Sequence, residues 1–345
     1  MQVPRRAVCA LALFAFTLAG ALPAEAINVP GPLADFQAQL SAFSMRAPGH
    51  VGIAVTDVSS GLTTGINQGA EMPAASTIKI PVMVEVFRQL GAGAFDLNRR
   101  VRLRASDKDW GSGDLADARV GSSYTVARLL ALMIDVSDNT ATNMLIRLVG
   151  RRHINDTMLE LGLTHTRLTD FIRSSGNMIR WALRSSPADM AHLLRSMARE
   201  QLIDEWSSRQ MIAILRGQTH NGLLPAPLPV GTDIAHKTGT LHDTLNDVGI
   251  VFEGEQPYVI AVMTTDLPTL DAGRRFIRGV SRMAYDALGR FASWRLENPA
   301  TLAMPLAPAT VTTPEQQMWT PAQAEGAAAP DSAPAASPAP AAAPG

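Results

Sequence analysis

Ser76-Thr77-Ile78-Lys79 opens a run in which Ile80, Val82, Met83, Val86, Phe87 and Leu90 recur at roughly helical spacing before Gly91 stops it. On a helix, a hydroxyl and an amine three residues apart project from one face within a turn, which is how a serine can lose its proton to a lysine. Pro81 falls in the first turns, where a missing amide donor costs little. Alone, the spacing is a weak signal. Composition supplies an S-x-x-K about once in a chain this long, and a helix start with a solvated lysine is the plainer reading.

Before this run, Leu33, Phe36, Leu40 and Phe43 follow a helical period that Pro48-Gly49 ends. Residues 50–58 alternate, Ser59-Ser60-Gly61 turns, and 62–67 continue as a partner strand. After it, 91–124 is polar, Gly-rich loop that includes Asp107-Lys108-Asp109-Trp110. Thr125 caps a helix carrying Val126, Leu129, Leu130, Met133 and Ile134, which runs out at Ser137-Asp138-Asn139. Helices over 140–149 and 153–161 follow, then a long loop over most of 162–184. Ser186-Pro187-Ala188-Asp189 opens a helix to about Arg199, and 204–216 forms another. Past the prolines at 225–229, short β-branched strands at 234–237, 248–252 and 258–264 precede an amphipathic helix from about 272 to 288. The expected class is mixed α and β: an antiparallel sheet flanked by helices and built from both chain ends (about 27–75 and 225–295), with an all-helical insert (about 76–224). A cleft between the two parts is where a site is expected.

The 345 residues, 46% hydrophobic and 18% charged, suffice for a substantial core. A net charge of -1 lacks the basic excess of a nucleic-acid binder, so small-molecule or peptide chemistry is favoured. Residues 1–26 read as a secretory signal: Arg5 and Arg6, an apolar run from Ala7 to Leu22, and Ala24-Glu25-Ala26 as a cleavage site. The run is shorter than the roughly 20 residues of a membrane span, so export to the periplasm or medium without an anchor is expected. Cys9, the only cysteine, lies in this signal, which excludes disulfides and cysteine chemistry from the mature chain. The seven histidines show no metal-ligand spacing, so neither metal nor cofactor is expected. Residues 301–345, rich in Ala and Pro, read as a disordered tail, either passive or a tether.

Two triplets change the weight of the first motif. Ser137-Asp138-Asn139 follows Ser76 by 61 residues, and Lys237-Thr238-Gly239 follows Ser137 by 100. Each triplet arises by chance in about one chain in twenty. With Ala75-Ser76-Thr77-Ile78-Lys79, Val136-Ser137-Asp138-Asn139-Thr140-Ala141-Thr142-Asn143 and His236-Lys237-Thr238-Gly239-Thr240, the chain resembles the penicillin-recognising serine enzymes, class A β-lactamases most closely, over roughly residues 33–288. The resemblance implies a β-lactamase/transpeptidase-like domain within 27–300 and an acyl transfer in which Ser76 is the nucleophile, Lys79 its base and Ser137 the proton shuttle. It assigns the substrate's amide to Asn139 and its carboxylate to Lys237 and Thr238. The backbone amides of Ser76 and Thr240 become the oxyanion hole, with Gly239 allowing close approach. Trp110 falls near the cleft mouth on this reading, or is simply a partly buried loop tryptophan.

The chain departs from the family in two places. Class A enzymes carry a loop glutamate that activates the deacylating water. Thr166-Arg167-Leu168-Thr169-Asp170-Phe171-Ile172 matches the run leading into that motif, but Ile172 or a neighbour stands where the glutamate belongs, and Asp170 reads as a loop cap. The family's carboxylate-binding arginine has no match at 244–247. Three functions stay open: a β-lactamase-like hydrolase, slow in turnover; a penicillin-binding D,D-peptidase acting on cell-wall peptides; and a non-catalytic binding module.

Overall fold

The computed structural model describes residues 30–174, 182–254 and 256–298. The expected signal, the tail and the Ser175-Gly176-Asn177 part of the long loop lie outside these residues. In chain order the elements are α1 (Gly31–Ser44), β1 (His50–Asp57), β2 (Thr63–Ile66), β3 (Met72–Pro73), α2 (Lys79–Gly91), β4 (Arg100–Arg102), β5 (Ser123–Thr125), α3 (Val126–Asp135), α4 (Asn139–Val149), α5 (Arg151–Glu160), β6 (Arg167–Leu168) and β7 (Leu183–Ser185). They continue with α6 (Pro187–Ala198), α7 (Glu205–Arg216), β8 (Asp233–Thr240), β9 (Leu245–Phe252), β10 (Tyr258–Thr265) and α8 (Leu270–Glu297).

Five strands form one antiparallel sheet in the order β2-β1-β10-β9-β8, so the two chain ends build it together as the sequence predicts. Successive strand residues feed opposite cores because side chains alternate across a sheet. Ile53, Val55, Ile260 and Val262 join Phe36 and Leu40 of α1 and Ile277 and Phe291 of α8. Ala54, Val259, Ala261 and Met263 face Val82 of α2, Leu129 of α3, Leu145 of α4 and Leu194 of α6. Burial on both faces explains the nearly unbroken apolar run of β10. Strand β8 remains at the sheet's edge, with no further strand of that sheet beyond it.

The helix starts follow their caps. The side chains of Thr125, Ser186 and Asp204 accept hydrogen bonds from the amides of Arg128, Asp189 and Ser207. Several boundaries differ from the sequence reading, β9 beginning at Leu245 instead of 248 among them. β8 continues to Thr240 through Thr238-Gly239, because pairing with Asp247, Asn246 and Leu245 supports residues whose own β tendency is low. α8 runs to Glu297, where Phe291 still packs in the core. The stretch 91–124 holds the short β4–β5 ladder, a long-range pairing that local composition does not signal.

Phe36 of α1 is wholly buried in the core that α1 and α8 form against the sheet. Phe36→Ala is expected to cost about 3–5 kcal/mol in reversible urea unfolding; a loss below about 1 kcal/mol would contradict this packing.

Candidate active site

Ser76 lies in a single 3-10 turn, Ala75–Ile78, and the α-helix proper begins at Lys79. Ala75 has a φ of 49°, a conformation that favours glycine, so the turn is strained and held from outside. Asn246 of β9 does the holding: its Nδ2 donates to the carbonyls of Pro73 (2.8 Å) and Ala74 (3.1 Å), and its Oδ1 accepts from the Thr264 amide (3.0 Å). Gly239 of β8 faces the same turn. A Cβ there would lie 2.9 Å from the Ala74 carbonyl oxygen and 3.1 Å from the Ser76 nitrogen, so any side chain would drive the edge strand off the nucleophile.

Ser137 ends the link between α3 and α4 with a φ of 58°. Asp138 fixes that link, its carboxylate accepting from the amides of Ala141 (2.7 Å) and Leu115 (2.8 Å). The result brings α2 and the α3–α4 link into contact. Lys79 Nζ lies 2.6 Å from the Ser137 carbonyl oxygen, 2.9 Å from Ser137 Oγ and 2.8 Å from Asn139 Oδ1. Two of these oxygens only accept, whereas the hydroxyl can also donate. A neutral amine satisfies the set by giving two N–H bonds to the carbonyls and taking one from Ser137. Burial, then repulsion from Lys237, pulls the Lys79 pKa well below its ordinary value, against weaker pulls from Asp138 and Asp109.

Asn139 is already committed. Its Nδ2 donates to Asp109 Oδ1 (2.8 Å) and Ser174 Oγ (3.2 Å), which orients Oδ1 toward Lys79. Lys237, also wholly buried, donates to the Thr238 carbonyl at 3.1 Å. Burial brings its pKa down to about 7, opposed by Asp247 and Asp135.

A cavity of about 1090 Å³ joins these parts, lined among others by Ser76, Ser137, Asn139, Thr238 and Thr240. The structure thus gathers the sequence-predicted residues Ser76, Lys79, Ser137, Asn139, Lys237, Thr238, Gly239 and Thr240 around one cleft. Trp110 stands apart: Gly111 and Ser112 line the cleft, while the indole is 69% exposed with Lys108 over its ring. Asp170 is an exposed loop residue, accepting from the Phe171 amide and near Arg151. Ile172 occupies the cleft floor, its backbone clamped in both directions by the Asn143 side chain. No Asp or Glu is among the described residues lining the cleft.

Several cleft residues escaped the sequence reading, Arg274, His220, His242 and Arg173 among them. Arg274 reaches the cleft beside Thr240 from α8, whereas the expected cation was sought at 244–247. Those positions do structural work instead: Asn246 holds the Ser76 turn, and Asp247 bonds His236 and the Leu224 amide. His220 also lines the cleft, from a loop with no ligand or catalytic spacing to mark it.

A serine three residues before a buried lysine amine, in a strained turn under a sheet edge, is the arrangement a serine hydrolase that works through acylation requires. Residues 35–288 match the model of the beta-lactamase enzyme family, and the chain belongs to that family. Beta-lactamase CTX-M-8 from Citrobacter amalonaticus is 26% identical over 242 residues, 67% of this chain and 81% of the relative. A beta-lactamase from Sphaerobacter thermophilus superimposes with a TM-score of 0.67 at 33% identity, over 75% of this chain and 97% of its own. A mutant of PBP-A, solved as an acyl-enzyme complex with penicillin G, gives 0.69 at 31% over 75% and 97%.

Because the folded protein holds Lys237 near 7 and the unfolded chain does not, unfolding takes up a proton between about 7 and the ordinary value of 10.5. Stability is therefore expected to climb as pH rises through that window. Lys237→Met should lessen the rise in urea midpoint between pH 7 and 10, leaving the share due to Lys79; an unchanged slope would contradict a depressed Lys237.

Proposed function

We propose that this protein takes β-lactams as acyl donors, forming a covalent adduct at Ser76 that it hydrolyses slowly. The observation that carries this reading is the buried Lys79 amine set among Ser137 and Asn139, three residues along the chain from Ser76. Ser76 Oγ attacks the lactam carbonyl and Lys79 takes its proton. The oxyanion forms against the amides of Ser76 and Thr240, and Ser137 delivers a proton to the departing nitrogen. Thr238, the charge of Lys237 and the Arg274 guanidinium bind the substrate carboxylate, the last filling the place left by the absent arginine at 244–247. Asn139 supplies the substrate's amide contact by exchanging its bond to Ser174.

Release is the weak half of the cycle, since the side chain of Ile172 on the cleft floor cannot accept a proton from water. That favours a second use of the same site, on cell-wall peptides as a D,D-peptidase, where an extended peptide could pair along the free edge of β8. The signal-like residues 1–26 agree with an exported protein in either role.

Intact-mass measurement over time with benzylpenicillin is expected to show one adduct, absent in Ser76→Ala, that outlasts its formation. No adduct in the native protein would leave only the binding-module reading, and decay as fast as acylation would contradict slow release. Ile172→Glu places a carboxylate at the floor and should speed adduct decay by about 10²-fold or more; no acceleration would argue that the floor is not where water attacks.

A further inference from the structure

A cleft that acylates but has no acid on its described walls still needs a proton acceptor if the adduct is to be hydrolysed. Asp138 cannot serve: its carboxylate is buried and taken up by the Ala141 and Leu115 amides. Asp109 lies behind Asn139 and Ser174 and is covered by them. His242 also lines the cleft, but its side chain is 82% exposed and its Nε2 faces Asp243 at 3.6 Å. His220 lines the cleft with Ser76, Thr238 and Gly222 and is held by a buried partner, Gln218.

Its hydrogen-bond partners fix its tautomer. Gln218 is buried, and its Nε2 donates to the Ile134 carbonyl at 3.1 Å, so its Oε1 must be the end facing His220. That oxygen accepts from the His220 backbone amide at 2.9 Å and lies 3.0 Å from Nδ1. An amide oxygen can only accept, so Nδ1 carries the proton and Nε2 is left with its lone pair. An imidazole oriented through Nδ1 with a free Nε2 is the arrangement a general base requires.

We propose that His220 is the general base of deacylation, activating the water that releases the acyl group from Ser76, with Gln218 as its positioning residue. The proposal rests on the acyl-enzyme reading above and supplies the group that reading lacks. The water oxygen bonds to the acyl carbonyl carbon while one of its protons passes to His220 Nε2. The tetrahedral intermediate then collapses, the C–O bond to Ser76 breaks, and Ser76 Oγ takes the same proton back from the imidazolium. The product leaves as a carboxylic acid that loses its proton to solvent. Burial lowers the pKa of His220 first, and Lys237, His236 and Lys79 lower it further whenever they carry charge, which favours the unprotonated imidazole. The same charges oppose the imidazolium in the transition state, which makes release slower than acylation.

Formation and decay of the benzylpenicillin adduct should be followed separately by quenched mass spectrometry in the native protein, His220→Ala and His220→Gln. Acylation is the control for a folded site, expected within about threefold of native, while decay is expected to fall by about 10²-fold in both variants. Added imidazole should restore decay in His220→Ala, a rescue that a merely structural role would not show. Native decay should also fall as pH drops below the ordinary histidine value of 6.5, with its midpoint under that value. Native-like decay in His220→Ala, or a native adduct that does not decay at all, overturns the assignment. Failure to form any adduct would instead overturn the acyl-enzyme reading itself.

Discussion

One amine holds the reactive parts of this molecule in register. Lys79 begins α2, yet the polar contacts of its Nζ are to Ser137 in the α3–α4 link and Asn139 at the start of α4. A charged ammonium at this depth would be costly, with burial and Lys237 both acting against it. The chain answers by giving the amine oxygens that a neutral group can satisfy. The same bonds that satisfy the amine also hold the start of α2 against Ser137 and Asn139.

The surroundings can be read as devices that hold this geometry. Asn246 pins the strained turn at Ala75 to the sheet, Asp138 caps the link that presents Ser137, and Asp109 orients the Asn139 amide toward the lysine. None of the three lines the cleft among the described residues. Each satisfies a buried backbone or side-chain polar group that would otherwise be orphaned, so the constellation is stabilised by the same bonds that place it. The hydrolytic half has no comparable scaffold. Ile172 is fixed by Asn143 as firmly as a catalytic residue, but its side chain is inert.

Much of this was legible in the sequence, and for physical reasons. Apolar periodicity reports which face of an element is buried, so α1, α3, α6 and the strands of the main sheet were readable from residues such as Phe36, Leu129 and Ile260. Spaced triplets report side chains that must converge, so Ser76, Lys79, Ser137 and Lys237 were readable too. What local pattern does not encode is a contact made between distant elements. Arg274 approaches the cleft from a helix whose sequence shows only amphipathicity. His220 acquires its orientation from Gln218, which acquires its own from the Ile134 carbonyl 84 residues earlier. Trp110 had a plausible position in the chain, but the loop turns Gly111 and Ser112 toward the cleft instead.

Burial and Lys237 hold the Lys79 amine well below its ordinary pKa, and the rest of the site depends on that depression. The chain has three lysines, Lys79, Lys108 and Lys237, so side-chain NMR of protein labelled at lysine gives a spectrum simple enough to assign with single substitutions. The Lys79 resonance is expected to titrate well below the ordinary lysine value. A Lys79 signal that titrates at the ordinary value of 10.5 would contradict it.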